Sequence, residues 1–196
     1  GSARAYEFYL RGNEVARDFT QLPVARDLYL RCVAEDPGFA PAWARLGRAH
    51  RLIGKYLDIP QLSAHQARAE EALRRALELS PQLPLAHKLF AHVEAEVGRA
   101  KDAMVRLLQL ARETRNDPEL FAGLVHVCRY CGLLEASLAA HREAQRLDPH
   151  LPTGVVHTHW LRGDFEAVLE LAGEEGQASR SFALLALGRQ QEALEA

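Results

Sequence analysis

An X-Pro step recurs along this chain where helical patterning stops: Asp36-Pro37, Ser80-Pro81, Asp117-Pro118 and Asp148-Pro149. Proline lacks the amide hydrogen that a helix interior needs and pushes the residue before it out of the helical region, so each step marks a helix boundary. Between the steps stand Gly54, Gly98, Gly132 and Gly163, each placed to end the first helix of its segment. Gly98 and Gly132 lie 34 residues apart. A self-similar period of about 20 to 50 residues marks a solenoid rather than a single closed core.

The segments between these marks carry a helical period. In "AEEALRRALELSP", Ala69, Leu73, Ala76 and Leu77 share one face while Glu70, Glu71, Arg74, Arg75 and Glu78 fill the other. Ala103, Leu107 and Leu110 repeat that stripe, as do Leu138, Ala140, Ala144 and Leu147. No stretch alternates with β-branched residues, so the chain is expected to be all-α, with roughly twelve helices in antiparallel pairs and almost no strand.

These residues resemble the tetratricopeptide repeat. Trp43, Leu46, Gly47, Gly54, Tyr56, Ala69, Leu73, Ala76 and Pro81 fall at that family's signature places once about ten residues are inserted between the two helices. The 44 residues from Gly54 to Gly98 agree with such an insertion. Further units run from Pro84 through Phe90, Ala91, Gly98 and Leu107, and from Pro118 through Phe121, Leu124, Gly132 and Ala144 to Pro149. The unit before Pro37 keeps Gly12, Ala25, Tyr29 and Cys32; the units after Pro149 are shortened. The resemblance implies a right-handed superhelical solenoid over residues 5–196, in about five to six units. Residues 57–68 are expected to project as a loop or helix extension. The opening "AYEFYLRG" and the segment "CRYCGLLEAS" also resemble repeat segments of bacterial signalling proteins such as serine/threonine kinases. Gly1-Ser2 reads as a cloning remnant, and the chain as a segment of a longer protein.

Composition narrows the function. With 24 basic and 26 acidic residues the net charge is -2, so no global field draws the chain to nucleic acid or an anionic membrane. No apolar run approaches the roughly 18 residues of a membrane span, no signal peptide opens the chain, and three cysteines make no disulfide framework. A reducing, cytoplasmic setting is the default expectation. Kinase motifs are missing, and no Ser-His-Asp order or carboxylate pair stands out, so no catalytic residue is assigned and a non-enzymatic role is expected. Cys128 and Cys131 form a CxxC, but a structural zinc needs about four ligands and no second pair accompanies them. Their place at the end of a helix disfavours a thiolate, because the carbonyl end of the helix dipole is negative. His157 and His159, two apart, point in different directions on a helix. Neither metal nor cofactor is expected.

In the family that the chain resembles, the first helix of each pair lines the concave surface. Carrying the inward positions over gives Arg48 and Arg51, then Lys88 and His92, then His126, Arg129 and Tyr130, with His157 and Trp160 from a shortened unit. That set is basic and aromatic, which suits a protein or peptide partner bearing acidic side chains or a C-terminal carboxylate. The asparagine and lysine set of repeats that grip chaperone tails is not reproduced: only Asn13 matches, and Arg45, Leu85 and Leu89 occupy other places. The alternative role is a structural or self-associating spacer for a catalytic or DNA-binding domain.

Overall fold

The computed structural model describes residues 2–114, 116–172 and 177–195. Gly1 of the expected remnant and Ala196 of the expected array lie outside them. Twelve α-helices follow one another among the described residues, and no strand. They are α1 (Ala3–Val15), α2 (Leu22–Glu35), α3 (Ala40–Leu52), α4 (Leu62–Leu79), α5 (Pro84–Glu96) and α6 (Ala100–Glu113). The second half holds α7 (Pro118–Tyr130), α8 (Leu134–Leu147), α9 (Val156–Arg162), α10 (Phe165–Leu171), α11 (Gln177–Ala186) and α12 (Gln190–Glu195). Consecutive helices pack as pairs, and α3, α5 and α7 pack on one another in succession.

The X-Pro steps act as their chemistry requires. Asp36, Ser80 and Asp148 each follow the last residue of a helix with φ of -138°, -144° and -143°, the extended backbone that a following proline imposes. Asp117 instead opens α7: its side chain accepts from the Glu119 amide at 2.9 Å, and Pro118 takes the first helical position, where no amide hydrogen is needed. Gly98, Gly132 and Gly163 reverse the chain with φ of 85°, 74° and 77°, a left-handed conformation that glycine adopts without strain.

Gly54 departs from the expected role. Its φ is not positive, and it sits in one widened helical turn, Ile53–Leu57, closed by the Asp58 amide donating to the Ile53 carbonyl at 2.8 Å. A Cβ on Gly54 would lie 2.6 Å from His65 Cβ, so glycine here admits the neighbouring helix rather than turning the chain. His65 belongs to α4, which at 18 residues is about one turn longer than the 14-residue α2, α6 and α8, residues 62–68 forming its first turns. Those turns are packed: His65 is buried, and its Nδ1 lies 3.0 Å from Nδ1 of buried His50.

The interior is built from small residues at helix crossings. Ala5, Ala25, Tyr29, Cys32, Ala42 and Leu46 join α1, α2 and α3; Ala44, Ala69, Leu73, Ala76, Ala86 and Leu89 join α3, α4 and α5; Ala91, Ala103, Leu107, Leu120, Leu124 and Leu138 join α5 to α8. Trp43, Phe90 and Phe121 are half-buried at the edges of these clusters. Tyr29 is the largest fully buried side chain, and its hydroxyl donates to Asn13 Oδ1 at 2.9 Å.

Candidate functional site

Because α3, α5 and α7 are successive first helices, one side of the array collects their inward residues. They wall a cavity of about 800 Å³, which residues 151–154 and His157, Trp160 and Leu161 of α9 also line. Arg48, Arg51, Lys88, His92, His126, Arg129, Tyr130 and Trp160 all line it. Arg45, Lys55, Tyr56 and Glu119 also line it and were not among the expected residues. Arg45 stands one helical turn before Arg48 on the same face of α3, a spacing legible in the sequence.

The cations differ sharply in what they already hold. Arg51 forks onto Glu96, with Nε and Nη2 each donating at 2.9 Å, and Lys55 donates to the same carboxylate at 2.7 Å. The Arg51 and Glu96 side chains are only 10% and 12% exposed. Burial raises the cost of charge on Glu96, yet the hydrogen bonds and charges of Arg51 and Lys55 outweigh it and hold its carboxyl below the usual range. Lys88 pairs with Glu119; burial still pushes its ammonium pKa down, with Glu119 opposing the shift. Arg129 is buried and donates to the Gly154 carbonyl at 3.1 Å and to His126 Nδ1 at 3.0 Å. Arg45 and Arg48 pair with no carboxylate among the described residues. Burial, then the charge of Arg45, pushes the Arg48 pKa down, and Arg45 Nε is buried with no hydrogen-bond partner in the protein.

Beside the cations runs a ladder of rings. The His92 and His126 centroids are 4.1 Å apart, and Tyr130 stacks on His126 at 4.7 Å. Burial, then the Arg129 charge, holds the His126 pKa down to about 2; burial, then His126, holds that of His92 well below its ordinary value. Both rings are therefore neutral near pH 7. Tyr130 and Trp160 are 44% and 37% exposed and give the cavity an open aromatic rim.

Burial, then Cys131, pushes the Cys128 thiol up to about 11, so it is no thiolate near pH 7. Among the described residues no three His, Cys, Asp or Glu side chains converge as a metal site would require. No helix among them is long and apolar enough to cross a membrane.

An all-α stack of helix pairs with a cavity on its first helices defines a helical-repeat protein. The solved structures similar to it narrow this to a tetratricopeptide-like solenoid. A TPR protein of Thermus thermophilus, TTC0263, superposes with a TM-score of 0.65 at 19% identity, over 86% of this chain and 83% of that one. The type IV pilus biogenesis factor PilW gives 0.62 at 15% identity, over 100% and 91%. MamA of Desulfovibrio magneticus RS-1 gives 0.53 at 15% identity, over 99% and 97%. No family model matches the sequence, and a search of the curated proteins finds no significant relative.

Proposed function

We propose that the cavity binds an extended acidic segment of a partner protein, and that the chain is a non-enzymatic interaction module, a regulatory segment of a larger bacterial signalling protein. The observation that carries this reading is the pair Arg45 and Arg48, two partly desolvated guanidinium groups with no carboxylate partner among the described residues, on the wall of an open cavity. Uncompensated cations in such a setting favour an anion, and guanidinium forks suit a carboxylate. The aromatic rim of Tyr130 and Trp160 supplies the apolar burial that exposed ion pairs alone lack.

A fluorescein-labelled Gly-Ser peptide carrying two adjacent aspartates tests the reading by fluorescence anisotropy. Binding is expected to weaken with added salt, with Asp→Asn in the peptide and with Arg48→Glu in the protein. Equal binding of the Asn peptide, or of the Arg48→Glu protein, rejects it. A labelled oligonucleotide in parallel separates acidic peptides from polyanions in general.

One observation favours self-association instead: Phe182, Leu185 and Leu194 on the last helix pair are 60%, 50% and 83% exposed. A concentration-dependent mass in analytical ultracentrifugation, abolished by Phe182→Ser, would support the spacer role; a monomer throughout would reject it.

A further inference from the structure

A second cavity opens on the other side of α3. Trp43, Leu46 and His50 line it together with Leu30 of α2 and Ala72 of α4. Its volume is about 380 Å³, at the small end of the roughly 300–1,000 Å³ that small-molecule sites occupy. Trp43 and His50 lie seven residues apart, with Leu46 between them on the same stripe, about half a turn round the helix from Arg45, Arg48 and Leu52. Trp43 spends its only N–H on the Pro37 carbonyl at 2.9 Å, so its ring acts here as an apolar wall. Exposed Leu30 supplies another.

The polar group of this cavity is His50, only 7% exposed. Its Nδ1 lies 3.0 Å from Nδ1 of His65 with the ring centres 5.3 Å apart, so the two rings meet end to end through these nitrogens. One hydrogen stands between them, and Asp58 decides whose it is. The Asp58 carboxylate accepts and lies 3.3 Å from His65 Nε2, so that nitrogen carries the His65 proton and donates. His65 Nδ1 is then a lone pair, and His50 Nδ1–H donates to it. Burial, then His65, pushes the His50 pKa down to about 4, so the ring is neutral near pH 7 and has no second proton for Nε2. That nitrogen presents a lone pair. It has no hydrogen-bond partner among the described residues and, unlike His92 Nε2, it is not sealed off by the fold. An unmet acceptor that reaches a cavity calls for a donor.

Charge narrows the choice of donor. Arg26 and Arg68 line the same cavity, and their charges reach His50 opposed only by that of Asp27. The positive sign prevails there, which disfavours an ammonium group or a metal ion, while the Nε2 lone pair repels a carboxylate. A neutral donor remains. Of hydroxyl, amide and indole donors a phenol is the most acidic, with a pKa of about 10, and a nitrogen backed through His65 by a carboxylate favours it. A phenol oxygen also accepts from a guanidinium, which an indole N–H cannot. We propose that the second cavity binds the phenol ring of a small molecule, the O–H donating to His50 Nε2, the oxygen accepting from Arg26 or Arg68, and the ring lying against Trp43 and Leu30. Asp58 and His65 act as positioning residues that fix the proton of His50. Both come from the stretch inserted between the two helices, and the site is independent of what the first cavity binds.

The test is a titration with 4-methylphenol at pH 8, read at the histidine ring nitrogens by ¹⁵N NMR. In the free protein His50 Nε2 is expected to be unprotonated and His65 Nε2 protonated. Added 4-methylphenol is expected to shift His50 Nε2 with a Kd on the order of 1 mM, the range open to so small a ligand. 4-Methylanisole keeps the shape but lacks the O–H, and is expected to bind at least about fivefold more weakly. His50→Phe is expected to bring the phenol down to the same level, and Asp58→Ala to leave His50 Nε2 partly protonated. Arg48→Glu, on the opposite side of α3, is expected to leave phenol binding unchanged. Thermal melts separate lost affinity from lost folding; if His50→Phe does not fold, the phenol and anisole comparison on the parent protein decides alone. A protonated Nε2 in the free protein, an unmoved His50 signal at saturating 4-methylphenol, equal binding of the anisole, or loss of binding in Arg48→Glu each overturns the site. An unchanged proton order in Asp58→Ala overturns the positioning role. A blocked Ser-Tyr-Ser peptide that binds more tightly than 4-methylphenol overturns the assignment to a small molecule.

Discussion

Arg48 and Arg51 stand three residues apart on α3 and read alike in the sequence, yet the fold gives them opposite duties. Arg51 holds Glu96 in a buried fork, so Arg51→Glu would set two carboxylates against each other and is expected to destabilise the protein by about 3 kcal/mol. Arg48 has no carboxylate to lose, and Arg48→Glu is expected to change stability by less than about 1 kcal/mol. Urea denaturation of the two variants checks the contrast; equal losses would mean that the Arg51–Glu96 fork contributes nothing. The side of the helix on which each arginine lies was legible only through the resemblance to the tetratricopeptide repeat, whose inward positions the two residues take. Whether each charge is already paired was not. Glu96 and Glu119 reach these cations from other helices, and nothing in the order of residues says which carboxylates on mostly solvated helices turn in. Leu107, fully buried between α6 and α7, illustrates the simpler case: its stripe marked it as core, and Leu107→Ala is expected to cost about 2–5 kcal/mol in the same measurement.

At the scale of the element, proline and glycine punctuation located the pairs well, since each acts through its own backbone. Gly54 shows where that logic fails. A glycine that admits a neighbour looks the same in sequence as one that reverses the chain, and its neighbour, His65, is eleven residues away. The two kinds separate on substitution. Gly98→Ala meets no neighbouring atom and carries only the strain of a positive φ, about 1 kcal/mol. Gly54→Ala must move α4 off α3 and is expected to cost more, about 1–3 kcal/mol. NMR shifts of the His50 and His65 ring nitrogens, 3.0 Å apart in the parent, report that displacement. Unchanged ring signals in Gly54→Ala would refute the close-approach role. The aromatics Trp43, Phe90 and Phe121 are half-buried because alanines take the crossing points and leave the rings at the edges.

Across the whole molecule, neutral buried histidines tie stability to pH. Burial, then His65, pushes the His50 pKa down to about 4, while the unfolded chain keeps about 6.5. Between those values the unfolded state binds a proton that the folded state refuses, so stability falls as pH drops through that window. His50 alone amounts to on the order of 2 kcal/mol between pH 7 and pH 5. His126, held down to about 2, and His92, held well below its ordinary value, act in the same direction. Tm is expected to be lower at pH 5 than at pH 7.5; a flat profile would show that these rings are not desolvated.

The two inward glutamates have a consequence for how strongly any acidic ligand responds to salt. Six cations line the cavity, but Glu96 occupies Arg51 and Lys55, Glu119 occupies Lys88, and Arg129 is fastened to the Gly154 carbonyl. Anions from solution would then associate mainly with Arg45 and Arg48, and the proposed acidic ligand would displace only those. A plot of log affinity against log salt should have a slope of about two rather than about six. A run of ten aspartates should also bind little better than a pair. Were the cavity to take the proposed acidic segment, it would count charges only up to a ceiling, and beyond it discrimination would pass from how acidic a partner is to where its acidic residues fall.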